Sequence, residues 1–503
     1  MTATNRRERS GERPKPKVVI AGASGFIGHA VIEALRGRYE IVALSRSAKR
    51  NEPGIEWRSC DLFSLLQCEK AVAGADYAIY LVHSMLPAAL TQASFEDMDL
   101  ILADNFARAA SKSGIRQILY LGGLIPEEAE GLSRHLASRL EVEQVLGARE
   151  IPLTSLRAAL VIGAGGSSFR IMLRLVERLP VMISPKWTLS NTQPIALDDL
   201  VRSIDWCLGR EEALGRTYDI GGGEIMTYLE MMQRTAEARL GKRRFILTVP
   251  FFSPGLSVLW VRLITGAHSE LIRPLVQSLR HPMCVNPKRA VPPLAIGTIS
   301  FDTAVRAALE GEQKISAKKS ETSAHLSRSS TSDASGYVVS IQRLPLPAGR
   351  DARWIAEEYA RWLPRLLKFI LEVHTDDNFN IEFHLTGLSG PLLELKFSPE
   401  RSTPDRPLYY ITGGRLAGRP IAAHRRPPAR LEFRETPDGR SVMAAVFNFR
   451  PGLPWFVYRN SQAIIHMIVM KLFARHLRRW SAHRGVPVPK DDVVGKARES
   501  SGH

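Results

Sequence analysis

Residues 18–30 read VVIAGASGFIGHA, and this stretch decides the fold of the first half of the chain. An apolar run typical of a buried strand leads into a GxxGxxG turn, after which a helical pattern begins. The first glycine permits the tight turn, the second allows a pyrophosphate to approach the backbone, and the third lets the helix pack on the sheet. The amide groups that open the helix then face the anion. The stretch predicts a dinucleotide-binding turn at Gly22, Ser24, Gly25, Phe26, Ile27 and Gly28.

Short apolar runs alternate with helical segments from residue 17 to about residue 308. The apolar runs are rich in valine, isoleucine and leucine, as strands buried on both faces are. They cover residues 18–21, 41–44, 78–82, 118–121 and 153–162. Strands that alternate with helices predict parallel βαβ units. We therefore predict an α/β fold for residues 17–311, a doubly wound Rossmann-type parallel sheet with a substrate-capping region.

The end of the second predicted strand indicates which dinucleotide the turn would bind. The strand ends in Ser45 and Arg46, and no acid occurs between Glu40 and Asn51. An acid in this place would bond the ribose 2′-hydroxyl of NAD, whereas the planar fork of an arginine suits a 2′-phosphate. A solvated loop arginine is the plain alternative. The residues favour NADP(H) over NAD(H), with Ser45 and Arg46 as contacts.

The second half of the chain has a different pattern. Residues 312–336 hold eight serines and few large apolar side chains, which predicts a flexible linker. Residues 337–480 read as a strand, helices, a run of antiparallel strands and a closing helix, an α+β domain. Residues 1–16 and 481–503 are expected to be disordered.

The net charge of +17 is concentrated in three segments. Residues 1–17, 401–434 and 475–503 carry +4, +6 and +4, so the charge does not describe the whole fold. No aromatic and basic residues interleave as in a nucleic-acid surface, and we expect no nucleic-acid partner. We expect the arginines of 401–434 to lie on a solvated surface. Contact of the basic last helix with anionic lipid is the alternative.

The cysteines and the longest uncharged segment indicate the cellular compartment of the protein. The four cysteines are scattered and form no CxxC pair, which favours a reducing cytoplasm and gives no metal motif. Residues 245–261 are uncharged but contain two prolines and a glycine and are too short for a spanning helix. We predict a cytoplasmic protein, peripheral to the membrane at most.

Over residues 17–310 the chain resembles the short-chain dehydrogenase/reductase superfamily. The likeness is to its extended and atypical members, such as the NmrA-like sensors and the 39 kDa accessory subunit of respiratory complex I. GASGFIG at 22–28 is similar to the glycine motif of that family. The resemblance implies that Asp61 and Leu62 contact the adenine. It also implies cofactor contacts after the fourth strand, at Leu81, Val82 and His83.

The helix that resembles the family's catalytic helix departs from its pattern. The family has Tyr-x-x-x-Lys, whereas residues 133–141 read SRHLASRLE, with His135 at the tyrosine position and Arg139 at the lysine position. The spacing of four keeps both on one helix face. An imidazole can exchange a proton near neutral pH, and Arg139 could orient a nicotinamide ribose. A non-catalytic polar pair beside the cofactor is an equal alternative.

Residues 337–479 weakly resemble a START-like helix-grip domain, which often encloses an apolar cavity. A lid or dimerisation domain is the alternative. The sequence as a whole predicts an NADP(H)-binding oxidoreductase-like protein that transfers hydride to or from a carbonyl, an alcohol or an activated double bond. The competing hypothesis is a non-catalytic NADP(H)-binding sensor or assembly protein. The expected partners are a nicotinamide dinucleotide and a small-molecule substrate or apolar ligand.

Overall fold

The computed structural model describes residues 15–83, 91–126, 132–249, 262, 281–290, 297–323, 337–418, 427–452 and 461–483. The strands up to residue 249 are β1 (Lys17–Ala21), β2 (Glu40–Ser45), β3 (Ile55–Ser59), β4 (Tyr77–Tyr80), β5 (Thr91–Gln92), β6 (Gln117–Gly123), β7 (Leu153–Ala158), β8 (Val161–Ile162), β9 (Val181–Pro185), β10 (Asn191–Thr192), β11 (Ile195–Ala196), β12 (Thr217–Ile220), β13 (Met226–Thr227) and β14 (Phe245–Val249). The helices up to residue 323 are α1 (Phe26–Leu35), α2 (Leu65–Val72), α3 (Phe95–Lys112), α4 (Arg134–Gly147), α5 (Ser167–Arg178), α6 (Leu197–Cys207), α7 (Tyr228–Leu240) and α8 (Phe301–Ser323).

A seven-stranded parallel sheet carries the N-terminal domain, in the order β12-β7-β6-β4-β1-β2-β3. Its inner strands β1 and β4 are mostly apolar because helices cover both faces. Helices α2, α3 and α4 pack on one face, and α1 and α6 pack on the other. Helices α5, α7 and α8 form a smaller core beside the sheet. The predicted doubly wound Rossmann-type fold is confirmed.

In the described residues from 337 onward, the C-terminal part forms an antiparallel sheet with two helices. Its strands are β15 (Val338–Pro345), β16 (Leu371–Thr375), β17 (Ile381–Leu385), β18 (Pro391–Phe397), β19 (Leu408–Gly413), β20 (Arg430–Glu435) and β21 (Ser441–Phe449), and its helices are α9 (Ala352–Leu366) and α10 (Gln462–His483). The sheet order is β16-β17-β18-β19-β20-β21-β15-β5. The last strand, β5, belongs to the N-terminal domain and pairs in parallel with β15. The antiparallel sheet and closing helix were predicted, whereas the START-like assignment stays a prediction.

Strand β21 explains how the two halves of the chain pack together. Alternate residues of a strand point to opposite faces. Met443, Ala445 and Phe447 join the core that contains α2, α3 and α4. Val442 and Ala444 join the core formed with α9 and α10. Strand β21 is therefore buried on both faces, between the helices of the N-terminal domain and those of its own domain.

The expectation of a solvated arginine surface at 401–434 is wrong for three of its arginines. Arg406, Arg430 and Arg434 are buried at the boundary between the two domains. Burying an arginine is tolerated only when acids and carbonyls pair with it. Arg434 Nη1 lies 2.7 Å from Asp104 Oδ2 of α3, and its Nη2 lies 3.0 Å from Glu432 Oε1.

Two further ion pairs extend this contact, which we call the arginine network (Asp104, Arg108, Arg149, Asp405, Arg406, Glu432 and Arg434). Arg108 Nη2 lies 2.5 Å from Asp405 Oδ2, and Arg149 Nη2 lies 2.9 Å from Asp104 Oδ1. Burial alone would raise the pKa of Asp104, but attraction to Arg434, Arg108 and Arg149 outweighs it and holds that pKa well below its usual range. The network stays charged and joins the domains.

Some predicted boundaries need correction. Helix α8 runs to Ser323, so the first twelve residues of the predicted linker 312–336 are helical. Serine and charged residues lower helix propensity only slightly, so a helix already packed at Phe301 continues through them. Residues 324–336 lie outside the described residues. Helix α10 likewise runs to His483, three residues into the predicted tail, and residues 484–503 and 1–14 lie outside the described residues.

The uncharged segment 245–261 is described only in part. Its first five residues form β14, which pairs in parallel with β9, and residues 250–261 lie outside the described ranges. Of the helices that the structure describes, none combines the length and apolar character needed to cross a membrane.

Candidate functional site

The turn between β1 and α1 has the geometry that the glycine spacing predicts. Gly22 adopts a left-handed φ of +86°, and a Cβ there would lie 3.0 Å from the carbonyl carbon of Leu81. A Cβ on Gly28 would lie 2.3 Å from the carbonyl oxygen of Gly22, well inside contact distance. The amide of Gly25 donates to the Gly22 carbonyl at 2.9 Å and closes the turn. Gly22 and Gly28 are therefore required by the backbone itself.

The start of α1 is open to an anion. Gly25 is its N-cap and no side chain caps the helix, so the first amide groups are left for another acceptor. No acidic residue lies in the first turn. Ser24 and Gly25 are exposed, while Phe26 and Ile27 are half-buried. The electrostatics of this turn favour a phosphate.

The Phe26 ring fixes the turn against a second glycine-rich segment. A Cβ on Gly163 would lie 2.8 Å from Phe26 Cζ, and one on Gly166 would lie 3.2 Å from Phe26 Cε1. These glycines leave the space that the ring fills between β8 and α5. Phe26 therefore has a structural role in addition to the predicted cofactor contact.

The residues after β4 lie beside the glycine turn. β4 is the neighbour of β1 opposite β2, which is where the strand order reverses and where ligands of such sheets bind. The amide of Leu81 donates to the Ala21 carbonyl at 2.9 Å. Leu81, Val82 and His83 are all half-buried at this carboxyl edge. The structure brings them together with Gly22.

The residues after β2 and β3 lie on the other side of the same edge. Ser45 is buried and its hydroxyl donates to the Ser47 carbonyl, while Arg46 is exposed. The amide of Phe63 donates to Asp61 Oδ1 at 3.1 Å, which forms a local turn. The Leu62 carbonyl accepts from Asn105 Nδ2 of α3 at 2.8 Å. These residues lie along the same carboxyl edge of the sheet as the glycine turn.

Beside the turn lies a polar group that we call the histidine cluster (His83, Asp99, His135 and Arg139). His83 Nδ1 lies 2.7 Å from Asp99 Oδ2 of α3. The His83 and His135 rings face each other at 5.2 Å between centroids. Arg139 follows one turn later on α4, and its carbonyl accepts from the Tyr120 hydroxyl at 3.2 Å. The helix that carries the predicted pair is thus placed against the carboxyl edge of β4 and β6.

Both histidines are disfavoured in their charged form. Burial lowers the pKa of His135 well below its usual value, and Arg139 and His83 lower it further. Burial and Arg139 also lower the pKa of His83, but the hydrogen bond with Asp99 acts in the opposite direction. Both rings are therefore neutral near pH 7 and able to accept a proton.

Sequence reasoning missed Asp99 and the two tyrosines beneath the cluster. Tyr80 and Tyr120 are buried in the sheet, and burial raises the pKa of Tyr120 to about 12. Asp99 and Asp104 interrupt the otherwise apolar face of α3, which reads MDLILADNF from residue 98. Acids are seldom fully buried unless paired, so this interruption was the available signal. Within the described residues, no three or more histidine, cysteine or acidic side chains are placed to hold a metal ion.

The sheet order, the uncapped helix and the glycine turn define the class of domain: a Rossmann-type domain that binds a dinucleotide. Residues 22–167 match the family described as NAD(P)H-binding. The N-terminal domain is therefore an NAD(P)-binding domain.

Comparisons with known proteins give the following likenesses. Auxiliary protein GraX of Staphylococcus aureus (strain NCTC 8325 / PS 47) is 34% identical over 113 residues, which is 22% of this chain and 37% of that protein. A nucleoside-diphosphate-sugar epimerase from Staphylococcus aureus has a TM-score of 0.47 at 14% identity, covering 58% of this chain and 99% of that structure. The NADPH-dependent quinone oxidoreductase QOR2 of Escherichia coli, solved with NADPH, has a TM-score of 0.45 at 17% identity, covering 57% and 98%.

Proposed function

We propose that the chain is an NADP(H)-dependent oxidoreductase that transfers hydride to or from a carbonyl, an alcohol or an activated double bond. The observation that carries the proposal is the glycine turn with its uncapped helix beside a pair of neutral histidines. The bound nicotinamide would supply or accept the hydride. The chain would seat the diphosphate on α1, contact the adenine with Asp61 and Leu62, and place His135 and Arg139 beside the reacting carbon.

The preference for NADP(H) rests on Arg46. Arg46 is exposed at the end of β2, and Lys49 and Arg50 are exposed close behind it. A guanidinium with solvent around it can pair two oxygens of a 2′-phosphate, which NADH lacks.

Calorimetric titration of the full chain with NADPH and NADH tests this preference. We expect NADPH to bind at least tenfold more tightly. Arg46→Ala should weaken NADPH about tenfold, roughly the 1–2 kcal/mol of a charge-assisted contact, and leave NADH within twofold. Lys70→Ala, which removes an exposed basic residue of α2, is the control and should change neither. Equal affinity of the wild type for both dinucleotides would overturn the preference.

The catalytic part of the proposal needs a separate experiment. NADPH oxidation is followed with a panel of aldehydes, ketones and quinones, using the wild type and His135→Phe. We expect turnover that falls at least a hundredfold in the variant, because a positioned proton donor contributes about 10²–10⁴ in rate. NADPH binding without any turnover would instead favour the alternative of a non-catalytic sensor or assembly protein.

A second proposal concerns location: we propose a cytoplasmic protein that contacts anionic membrane through α10. The four free cysteines suit a reducing compartment. The first turns of α10 expose Ile465 and Ile468, and its later turns expose Lys471 and Arg475. Exposed apolar and basic residues on one helix suit an anionic lipid surface.

Co-sedimentation with phosphatidylglycerol and phosphatidylcholine vesicles tests the membrane contact. We expect binding to the anionic vesicles alone, lost in Ile465→Ser/Ile468→Ser. Equal co-sedimentation of the protein with both vesicle types, or with neither, would contradict the proposal.

A further inference from the structure

His83, which lies beside His135, is held by a buried carboxylate that cofactor binding alone does not require. His83 Nδ1 contacts Asp99 Oδ2 at 2.7 Å, and Asp99 is only 2% exposed. An ionised carboxylate accepts hydrogen bonds and cannot donate one, so Nδ1 must carry the ring hydrogen. The remaining nitrogen, Nε2, then presents a lone pair. Asp99 thus fixes the tautomer and the orientation of His83.

The lone pair of His83 lacks a hydrogen-bond partner. Nε2 is buried, and no donor reaches it in the part of the chain that the structure describes. An unpaired buried polar atom costs about 1–3 kcal/mol, so such atoms call for an explanation. The ring that faces His83 is His135, at 5.2 Å between centroids and a 55° angle. Because Asp99 holds the His83 ring, it is a rotation of the His135 ring about χ2 that would bring one of its nitrogens to His83 Nε2.

We propose that His83 and Asp99 form a proton relay with His135, in which His135 meets the substrate and His83 receives the proton behind it. This inference rests on the proposed hydride transfer and deepens it, since it assigns the proton path of the same site. His83 acts through His135 and is a positioning residue.

The charges around the two rings give the relay its direction. Arg139 on α4 lies near both rings and disfavours the charged form of each, while Asp99 on α3 favours a charged His83. Two further titratable groups packed here, Tyr80 on β4 and Tyr120 on β6, have pKa values raised by burial and stay neutral. A proton that leaves His135 for His83 therefore moves from a ring beside an arginine to a ring beside a carboxylate.

The proton balance of an alcohol oxidation follows from this arrangement. The hydride leaves the carbinol carbon for the bound nicotinamide, and the hydroxyl proton passes to one nitrogen of His135. His135 releases the hydrogen of its other nitrogen to His83 Nε2. His83 becomes an imidazolium paired with Asp99. Carbonyl reduction runs through the same steps in reverse.

A spectroscopic test of the relay does not depend on knowing the substrate. Histidines of the full chain are labelled with ¹⁵N, and His83 is assigned by its loss in His83→Phe, with exposed His374→Gln as the control. We expect a neutral ring at pH 7 with hydrogen on Nδ1, and a mixture of tautomers in Asp99→Asn. Hydrogen on Nε2 in the wild type, or a tautomer unaffected by Asp99→Asn, would overturn the relay.

A kinetic test uses the best substrate of the carbonyl panel. Asp99→Asn should lower kcat about a hundredfold with KM and NADPH affinity within threefold, and should move the acid limb of the pH profile. In the His135→Phe background the same change should cost less than threefold, because both residues act in one path. Additive losses would contradict the relay. Failure of NADPH to bind, or of every substrate to turn over, counts against the proposed function, and the tautomer measurement then decides the relay alone.

Discussion

The histidine cluster and the arginine network occupy two positions on the same helix and handle buried charge in opposite ways. Asp104, in the network, contacts Arg434, Arg108 and Arg149, so its charge is compensated. Asp99, five residues earlier, holds a histidine whose second nitrogen has no partner in the described chain. The network also contains buried atoms without a hydrogen-bond partner, Arg434 Nε among them. The difference is that the unpaired atom of the histidine cluster is an imidazole nitrogen that can accept a proton, whereas a guanidinium nitrogen cannot. Helix α3 thus joins the domain boundary to the cofactor edge.

The largest effect should come from breaking the arginine network. Arg434→Met leaves Asp104 and Glu432 buried without their shared cation, which typically costs about 3–5 kcal/mol. We expect urea denaturation to give a loss of that size, and Arg440→Met, at an exposed position of the same domain, to change stability by less than about 0.5 kcal/mol. A loss below about 1 kcal/mol for Arg434→Met would mean that the network does not hold the domains.

At the cofactor edge, Gly28→Ala should disturb the turn more than the fold. The added Cβ would overlap the Gly22 carbonyl, and such overpacking costs about 1–3 kcal/mol. NADPH affinity should fall at least tenfold in a calorimetric titration because the helix start moves away from the diphosphate. Ala34→Gly, later on α1, should cost about 1 kcal/mol of stability and leave NADPH binding unchanged. Unaltered binding by Gly28→Ala would argue against a diphosphate on this turn.

The histidine cluster should make the stability of the protein depend on pH in mild acid. The folded pKa values of His83 and His135 lie below the roughly 6.5 of an unfolded histidine, so the unfolded chain takes up protons first as pH falls. Stability is therefore complete above about pH 6.5 and falls below it, by up to about 1.4 kcal/mol per pH unit for each histidine. His135→Phe should reduce the slope of unfolding free energy between pH 5 and 6.5. An equal slope in His374→Gln and His135→Phe would refute this account.

The smallest effect is expected where the C-terminal domain contacts the two helices that carry the histidine cluster. Arg343 of β15 contacts Asp97 of α3 at 2.9 Å and Glu141 of α4 at 2.7 Å. It thus joins the helices that carry Asp99 and His135. Arg343 is 31% exposed, so Arg343→Gln should cost only about 1 kcal/mol.

The control for Arg343 is Arg353→Gln, which removes an exposed pair with Glu357 on α9 and should cost less than about 0.5 kcal/mol. We further expect Arg343→Gln, and not the control, to shift the ¹⁵N signal of His135. An unchanged His135 signal in Arg343→Gln would show that the C-terminal domain does not influence the site.

The sequence was sufficient for the parts of the fold that local pattern decides. GxxGxxG after a buried strand located the turn, because Gly22 and Gly28 are required by backbone contacts that no other residue allows. The antiparallel strands were visible from their β-rich runs and turn residues. The predicted linker began too early. The later residues of α8 have the composition of a linker, but they continue a helix whose start is packed.

The domain boundary and half of the site were hidden because they depend on contacts distant in sequence. Arg434 and Asp104 are 330 residues apart, so the arginines of 401–434 looked like a solvated surface. His83 and Asp99 sit on different elements, and nothing local pairs them. Propensity and periodicity report neighbours along the chain, whereas buried charge is decided by neighbours in space.

The parallel pairing of β5 with β15 restricts how this protein can be divided. Thr91 and Gln92 supply the outer strand of a sheet whose other members begin at Val338. A fragment that starts after the N-terminal domain would expose the unpaired edge of β15, and such edges promote aggregation. Its buried arginines would also lose the acidic partners that the N-terminal domain supplies. The two halves should therefore be inherited, expressed and purified as one piece, and a cut between them should yield insoluble material rather than two working domains.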